Sequence, residues 1–334
     1  FNPPHIGHLN AIQAVSKKVG FDKVHILPAA QNPLKMKTEG PTPEQRLEMV
    51  KLAFADMGES FFVDDQEIKR GGPSYTIDTI MNLRKTVEAK DLFLVVGADN
   101  LEELSQWKDY QKILSEANLV VTSRPGWDLP SSADDLPTFL RSMVEEFDFN
   151  FVELTTGRSI QFVRLKDIEL SASQLRKWIR INKNVDKFLP LSVENYIKAH
   201  KIYAPLGDRI PDYKKFTEFC GGVLFSKKGI QVRAFDLRSM SAPTEFALIA
   251  SGTSTRHAAS LGENLIQAVK EEYNLYPQSI EGMDEGRWVL LDYGSLIVHL
   301  FYDFVRQEYS LEKLWKDGVD LGLKDPDADK VSAT

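Results

Sequence analysis

Two histidines near the start of the chain are the residues best suited to do chemistry. His5 and His8 are three positions apart, so on a helix they project from the same side of one turn. Residues 2–4 (Asn-Pro-Pro) can cap such a helix and form its first turn, and Gly7 lets a flat group approach the backbone. Backbone N–H groups and the dipole at a helix start favour phosphate. The stretch predicts a polyphosphate site; the alternative is a chance pair of histidines on a surface helix.

A second candidate phosphate site lies near residue 171. Ser171 can cap a helix, and Ser173 and Arg176 lie on the first turns of that helix. A planar guanidinium with a permanent charge suits phosphate oxygens. An ordinary capped amphipathic helix is the alternative. Taken together with the first motif, the pattern predicts two clamps on one triphosphate.

Alternating apolar strands and helices must position these groups. Strands are predicted at residues 24–28, 61–63, 92–96, 119–121 and 162–165, with helices starting at Thr42, where Gln45 completes a capping box, and at Asp78. This order predicts an α/β fold with a doubly wound parallel sheet and right-handed crossovers. Ligands of such sheets bind at the carboxyl ends of the strands, and residues 97–99 (Gly-Ala-Asp) form such an end.

Composition sets the broad class. The 334 residues suggest two domains, and 43% hydrophobic with 27% charged residues is ordinary for a globular protein. A single cysteine, Cys220, excludes an internal disulfide and predicts a cytoplasmic protein. No apolar run is long enough to span a membrane. Residues 206–334 carry 15 basic and 20 acidic side chains within a net charge of −7. Neither half therefore has the basic surface of a direct nucleic-acid binder.

The tetrapeptide at residues 5–8 (His-Ile-Gly-His) resembles the nucleotidylyltransferase superfamily signature, which class I aminoacyl-tRNA synthetases share. A synthetase would need a Lys-Met-Ser-Lys-Ser loop far downstream, and residues 35–37 are a poor copy in the wrong place. Over residues 1–204 the chain instead resembles the bacterial nicotinate-mononucleotide adenylyltransferase family. The matching stretches are residues 1–8, 33–35, 44–49, 74–76, 97–99, Trp107, 124–126, 170–176, Val193, 196–197 and Tyr203.

This resemblance implies transfer of AMP from ATP to nicotinate mononucleotide, giving deamido-NAD and pyrophosphate, with Mg²⁺ held by substrate oxygens and water. The implied catalytic residues are His5, His8 and Arg176. The implied ATP-binding residues are Gly7, Gly97, Asp99, Ser171 and Ser173. The implied acceptor-binding residues are Lys35, Tyr75, Thr76, Trp107 and Arg124, with the nicotinate ring on Trp107. A core anchor is the alternative role of Trp107, and a solvated charge that of Lys35 and Arg124.

The chain departs from the family at its first residue. Family members have an apolar strand and a Gly-Gly-(Thr or Ser) turn immediately before the position of Phe1. We expect that strand to be central in the sheet and its glycines to approach the substrate phosphates. The expected gene product therefore begins upstream.

The second half reads as a separate domain after a proline–glycine hinge at residues 205–209. Strands are predicted at 223–225, 232–235 and 246–250, a helix at 255–273, and a hairpin of 288–294 with 296–301 that turns at Gly294. We predict a smaller α+β domain with a mixed sheet over residues 210–320. The tail, residues 321–334, is expected to be disordered.

Residues 210–318 resemble the ribosomal silencing factor (Iojap-like) family. The matching stretches are residues 249–254, 281–282, 288–301, Arg306 and 309–315. The resemblance implies binding to the large ribosomal subunit through its fourteenth protein and a block to subunit joining. The implied docking residues are Asp292, Tyr293, His299, Tyr309 and Trp315, in an acidic rim that suits a basic partner. Tyr293 and His299 could equally be satisfied buried polar residues.

We therefore predict a fusion of an adenylyltransferase with a ribosome-silencing module. One rival is a ribosome-binding repressor of translation whose N-terminal half is a non-catalytic scaffold. The other is an adenylyltransferase for a different phosphorylated acceptor, either nicotinamide mononucleotide or phosphopantetheine.

Overall fold

The computed structural model describes residues 1–34, 36–123, 125–165 and 170–325, without the side chain of Asp208. The chain forms two compact units. The first comprises Phe1–Lys35 and Pro41–Ile202, and the second comprises Met36–Gly40 and Tyr203–Thr334. Among the described residues, no helix is both long and apolar enough to cross a membrane.

The first unit alternates helices and strands. Its described helices are α1 (Ile6–Val19), α2 (Pro43–Phe54), α3 (Gln66–Arg70), α4 (Thr76–Leu83), α5 (Ala98–Glu103), α6 (Tyr110–Glu116), α7 (Thr138–Arg141), α8 (Ala172–Arg180) and α9 (Leu191–Ala199). Its described strands are β1 (Val24–Ile26), β2 (Phe61–Val63), β3 (Phe93–Gly97), β4 (Asn118–Thr122), β5 (Val144–Asp148), β6 (Phe151–Leu154) and β7 (Ser159–Val163).

The strands of the first unit form two sheets. β1 and β2 pair in parallel, and the other five strands have the order β3-β4-β7-β6-β5. β3, β4 and β7 are parallel to one another. β6 runs antiparallel to both of its neighbours, β7 and β5. The predicted parallel α/β fold is confirmed. The β5–β6 hairpin was not predicted, because the acidic residues of β5 hide its apolar alternation.

Both faces of the five-stranded sheet are covered. Leu119 and Val121 of β4 join the large core on one face, whereas Val120 packs with Val163 and Val15 of α1 on the other. Burying one such side chain contributes about 1.5–3 kcal/mol. The last strand ends at Val163, two residues before its predicted end. α4 begins at Thr76, two residues before the predicted start.

The second unit is a mixed sheet with helices. Its helices are α10 (Tyr213–Ser226), α11 (Thr255–Tyr273) and α12 (Asp303–Tyr309). Its strands are β8 (Ile230–Asp236), β9 (Phe246–Gly252), β10 (Ser279–Glu281), β11 (Trp288–Asp292), β12 (Leu296–Tyr302) and β13 (Val319–Asp320), in the order β10-β11-β12-β9-β8-β13. Only β12–β9 is parallel among the described ladders of this sheet. The predicted hairpin is confirmed, with Gly294 at φ +85° in its turn.

The predicted strand at residues 223–225 is wrong, because these residues belong to α10. The Asp212 side chain accepts a hydrogen bond from the Lys215 amide and caps this helix. Phe216, Cys220 and Leu224 then recur every four residues and are fully buried. That spacing gives one continuous helical face against the sheet.

Both ends of the second unit are more ordered than predicted. Residues 206–209 form a 3₁₀ turn, and Leu206 is buried in the core of this unit. The Leu321 amide donates to the Ala234 carbonyl at 2.9 Å, and Leu321 and Leu323 pack on the same core. Disorder is therefore the wrong prediction for residues 321–325. The rest of the predicted tail, residues 326–334, lies outside the described residues.

Candidate active site

The start of α1 holds the two predicted histidines. His5 is the N-cap, with extended backbone (φ −142°, ψ 168°), so residues 2–4 precede the helix instead of forming its first turn. The His5 amide donates to Nδ1 of His8 at 3.2 Å, and the two ring centroids are 3.7 Å apart. Because Nδ1 accepts, a neutral His8 carries its proton on Nε2. The pair is thus locked at a helix N-terminus, the geometry that favours an anion.

In the structure, the second candidate phosphate site at the start of α8 contacts the segment that precedes α1. Ser171 caps α8 by accepting from the Gln174 amide at 3.1 Å. Arg176 donates from Nη1 to the carbonyl of Asn2 at 2.9 Å and from Nη2 to Oγ of Ser173 at 3.0 Å. Residues 174 positions apart are therefore in contact, and a permanent positive charge lies beside the start of α1.

The end of β3 carries the next predicted pair. Gly97 is the last residue of β3 and the N-cap of α5, and Asp99 lies in the first turn of α5. A Cβ atom on Gly97 would lie 2.4 Å from Oδ1 of Asp99. A side chain at this position would therefore force the Asp99 carboxylate to move from its place in the first turn of α5.

The predicted acceptor residues lie at the start of α4 and after α5. Tyr75 is the N-cap residue of α4, and Thr76 is the first residue of this helix. Tyr75 and Trp107 are half-buried and pack against the same core, so each leaves part of its ring accessible. The ammonium of Lys108 lies 4.6 Å from the centre of the Tyr75 ring. Stacking of a ligand on Trp107 stays a prediction.

Two acceptor candidates, Lys35 and Arg124, lie outside the described residues. Two further side chains belong to matching stretches of the sequence, residues 44–49 and 74–76, but received no predicted role. Arg46 of α2 binds the carbonyls of residues 29 and 30, and Ser74 binds the amide of residue 30. Spacing could not reveal them, because their partners are backbone groups on a distant loop.

In the second unit the five docking candidates fall into different environments. Tyr309 is 55% exposed, whereas Trp315 and His299 are buried. Trp288 contacts the rings of Tyr309 and His299, and His299 contacts Trp315, so the four rings form one cluster. Asp292 lies at the hairpin turn, where it accepts from the Gly294 amide at 2.8 Å. Tyr293 is fully buried in the core, so its assignment to a docking face is wrong. The pattern of aromatic and polar residues did not distinguish these cases.

The Tyr293 hydroxyl is buried without a hydrogen-bond partner among the described residues. Burial also raises the pKa of this phenol above its usual range. Removing an unsatisfied polar atom costs little and can stabilise a protein. We expect Tyr293→Phe to keep the free energy of unfolding within about 1 kcal/mol of the native value, or to raise it. Urea unfolding measures this, and a loss above about 2 kcal/mol would show that the hydroxyl has a partner.

His299 accepts a hydrogen bond on Nδ1 from the indole of Trp288 at 3.2 Å. Burial lowers the pKa of His299 from 6.5 to about 4. Between these values the unfolded chain binds a proton that the folded chain does not, so stability is lost as pH falls from 6.5 towards 4. We expect this loss to be smaller in His299→Gln, which keeps an acceptor but does not titrate. Urea midpoints across this pH range test it, with exposed His200→Gln as the control; parallel wild-type and His299→Gln curves would contradict it.

Comparison with known proteins covers both units. Residues 1–202 match the cytidylyltransferase-like family, and residues 212–334 match the family described as ribosomal silencing factor during starvation. A protein of Geotalea daltonii named "Probable nicotinate-nucleotide adenylyltransferase" is 34% identical over 208 residues, which are 61% of this chain and 94% of that protein. A protein of the same name from Chromobacterium violaceum is 33% identical over 204 residues, with the same coverage. A solved structure of Plasmodium falciparum nicotinic acid mononucleotide adenylyltransferase complexed with NaAD is 13% identical, with a TM-score of 0.46, over 61% of this chain and 93% of that one.

Proposed function

Because the chain belongs to the nicotinate-nucleotide adenylyltransferase family and carries a ribosomal silencing factor domain, we propose that it transfers AMP from ATP to nicotinate mononucleotide. The observation that carries this proposal is the bond between Arg176 and the Asn2 carbonyl. This bond brings the guanidinium to the segment that directly precedes the His5 N-cap of α1. We infer that cationic and N–H donors converge there. Such a group of donors can neutralise a polyphosphate.

In the proposed reaction an oxygen of the mononucleotide phosphate attacks the α-phosphorus of ATP in line. The bond from that phosphorus to the oxygen of the leaving pyrophosphate breaks, and no bond to the protein forms. His5, Gly7 and His8 at the start of α1 bind the ATP phosphates. Ser171, Ser173 and Arg176 bind the β and γ groups, where charge builds on the leaving group. Catalysis then consists of positioning and charge neutralisation.

The remaining site residues select the two nucleosides. We assign Gly97 and Asp99 to the adenosine ribose, because the Asp99 carboxylate can accept hydrogen bonds from the ribose hydroxyls. Tyr75, Thr76 and Trp107 would hold the nicotinate ring, with the indole stacked on it. Lys35 and Arg124 would hold the mononucleotide phosphate.

We propose that Mg²⁺ reaches the site with ATP and rests on substrate oxygens and water. Across the described ranges, no group of three or more His, Cys, Asp or Glu side chains is placed to hold a metal ion. When bound with ATP, Mg²⁺ would neutralise part of the polyphosphate charge.

The acceptor is tested by comparing nicotinate mononucleotide, nicotinamide mononucleotide and phosphopantetheine in assays of pyrophosphate release by the full-length protein. The highest kcat/KM is expected with nicotinate mononucleotide. Faster turnover with another acceptor would reassign the enzyme to that acceptor. No turnover with any of them would favour the scaffold alternative, in which the second unit alone has a function.

For the second unit we propose binding to the large ribosomal subunit through its fourteenth protein, which would block subunit joining. Support comes from an apolar surface around α12, where Phe304, Tyr309 and Leu314 are 60%, 55% and 66% exposed. Trp288 lies behind Tyr309, with ring centres 4.9 Å apart. A rigid aromatic surface of this kind is typical of an interface. Residues 303–317 carry four acidic and three basic side chains, and the acidic rim expected from the sequence stays a prediction.

Tyr309→Ala is expected to weaken cosedimentation with isolated large subunits, because exposed aromatic anchors dominate such interfaces. A loss of about 2 kcal/mol corresponds to a roughly 30-fold higher Kd. Phe149→Ala is the matched control, since Phe149 is 74% exposed but lies in the first unit. Equal binding by Tyr309→Ala and the wild type would exclude this surface.

A further inference from the structure

We propose that Arg46 and Ser74 are positioning residues for the mononucleotide acceptor. They hold the segment after β1, residues 29–31, between α2 and the start of α4. The inference rests on the proposed function, because it concerns the site of the same acceptor. Neither residue is needed for phosphate chemistry; each acts through the backbone that it binds.

Arg46 supplies one side of this support. Its Nη1 donates to the carbonyl of Ala29 at 2.6 Å, and its Nη2 donates to the carbonyl of Ala30 at 2.7 Å. β1 ends at Ile26, so these two carbonyls lie beyond its ladder with β2. Ala30 is buried, and a buried carbonyl without a donor is costly. The planar guanidinium has two terminal nitrogens that can bind two successive carbonyls at once, whereas a lysine ammonium is a single point charge.

Ser74 supplies the other side. Its Oγ accepts from the amide of Ala30 at 2.8 Å, and its own amide donates to the carbonyl of Gln31 at 2.8 Å. Gln31 also forms an isolated parallel bridge with Pro73. Ser74 is buried, so these bonds are shielded from water. The carbonyls of residues 29–31 and the amide of residue 30 are thus bound from two directions.

The helix that carries Arg46, α2, is held in place at its start and along its buried face. Thr42 and Gln45 close a reciprocal capping box at the start of α2, with bonds of 3.2 and 2.9 Å. Met49 and Val50 of the same helix are fully buried. Arg46 therefore projects from a helix that cannot easily rotate or shift.

The held segment connects two parts of the proposed acceptor site. Tyr75 and Thr76 follow Ser74 directly, and Lys35 comes four positions after Gln31 in the sequence. A displacement of residues 29–31 would move both parts relative to each other. Because a preorganised site binds its ligand more tightly, such a displacement is expected to weaken binding of the mononucleotide and so to raise its KM.

Arg46→Lys and Ser74→Ala in the full-length protein test this, with nicotinate mononucleotide and ATP varied separately. Each variant is expected to raise KM for nicotinate mononucleotide roughly tenfold, with kcat and KM for ATP within about twofold of wild type. Arg84→Lys is the matched control. Arg84 lies in the first unit, where its guanidinium binds the carboxylate of Glu116 and the backbone carbonyl of Val87. The Arg84→Lys variant should leave both KM values unchanged, even where it lowers the melting temperature.

The outcomes separate the two proposals. A wild-type protein that turns over no acceptor overturns the proposed function, and this inference with it. With an active wild type, equal changes in both KM values, or no change, overturn the inference alone. An effect of Arg84→Lys as large as that of Arg46→Lys would show general loosening and also overturn it. Where Arg46→Lys fails to fold, Ser74→Ala, which loses one hydroxyl, decides.

Discussion

His8→Ala is expected to lower kcat for pyrophosphate release by roughly 100- to 1,000-fold, the usual cost of one preorganised donor to a developing negative charge. Nδ1 of His8 accepts from the His5 amide, so a neutral ring carries its proton on Nε2, which we propose donates to a phosphate oxygen. Alanine removes that donor and the stacking with the His5 ring. Steady-state kinetics with saturating ATP and nicotinate mononucleotide measure the loss.

His200→Ala is the control for this variant. His200 is exposed at the end of α9 and lies outside the predicted site. Its replacement should leave kcat within about twofold, as for a surface position. His8→Asn, which keeps an N–H donor, should recover part of the activity. Wild-type turnover by His8→Ala would remove the opening motif from the mechanism.

Arg176→Ala is expected to have an effect of similar size, because it removes a charge and a structural link together. The guanidinium binds the Asn2 carbonyl and the Ser173 hydroxyl, which aligns α8 with the start of α1. We expect kcat/KM for ATP to fall by at least about 100-fold. Arg176→Lys should fall less but remain impaired, since an ammonium keeps the charge without the planar fork.

The matched control for Arg176 is Lys177→Ala. Lys177 is the next residue of α8 and is exposed, so its loss removes one positive charge without touching Asn2. ATP kinetics close to wild type are expected. If Lys177→Ala weakened ATP binding as much as Arg176→Ala, the general positive charge of α8 would explain the effect instead of the Arg176 contacts.

Local signals predicted much of the fold. The capping box at Thr42 and Gln45 gave the start of α2, and the bounds predicted for α11 agree with Thr255–Tyr273. An apolar run without clear period was less informative. Residues 223–225 suit a buried strand or a buried helix equally, and the Asp212 cap with the four-residue spacing upstream was the deciding signal.

The candidate site was predicted in its parts but not in its connections. Each candidate phosphate motif spans only a few consecutive residues, so each is visible in a short window of sequence. Their junction depends on Arg176 reaching a carbonyl 174 residues away, and the support by Arg46 uses backbone groups of another element. Contacts of this kind have no sequence period. Tyr293 was misassigned for the opposite reason, since its aromatic ring and hydroxyl suit a core and an interface equally.

The most direct test of the central claim is product formation by the full-length protein supplied with ATP, Mg²⁺ and nicotinate mononucleotide. We predict deamido-NAD and pyrophosphate in equal amounts, with the α-phosphorus of ATP recovered in the dinucleotide. We also predict that His8→Ala and Arg176→Ala lose this activity while remaining folded. Pyrophosphate without dinucleotide, or full activity in both variants, would contradict it.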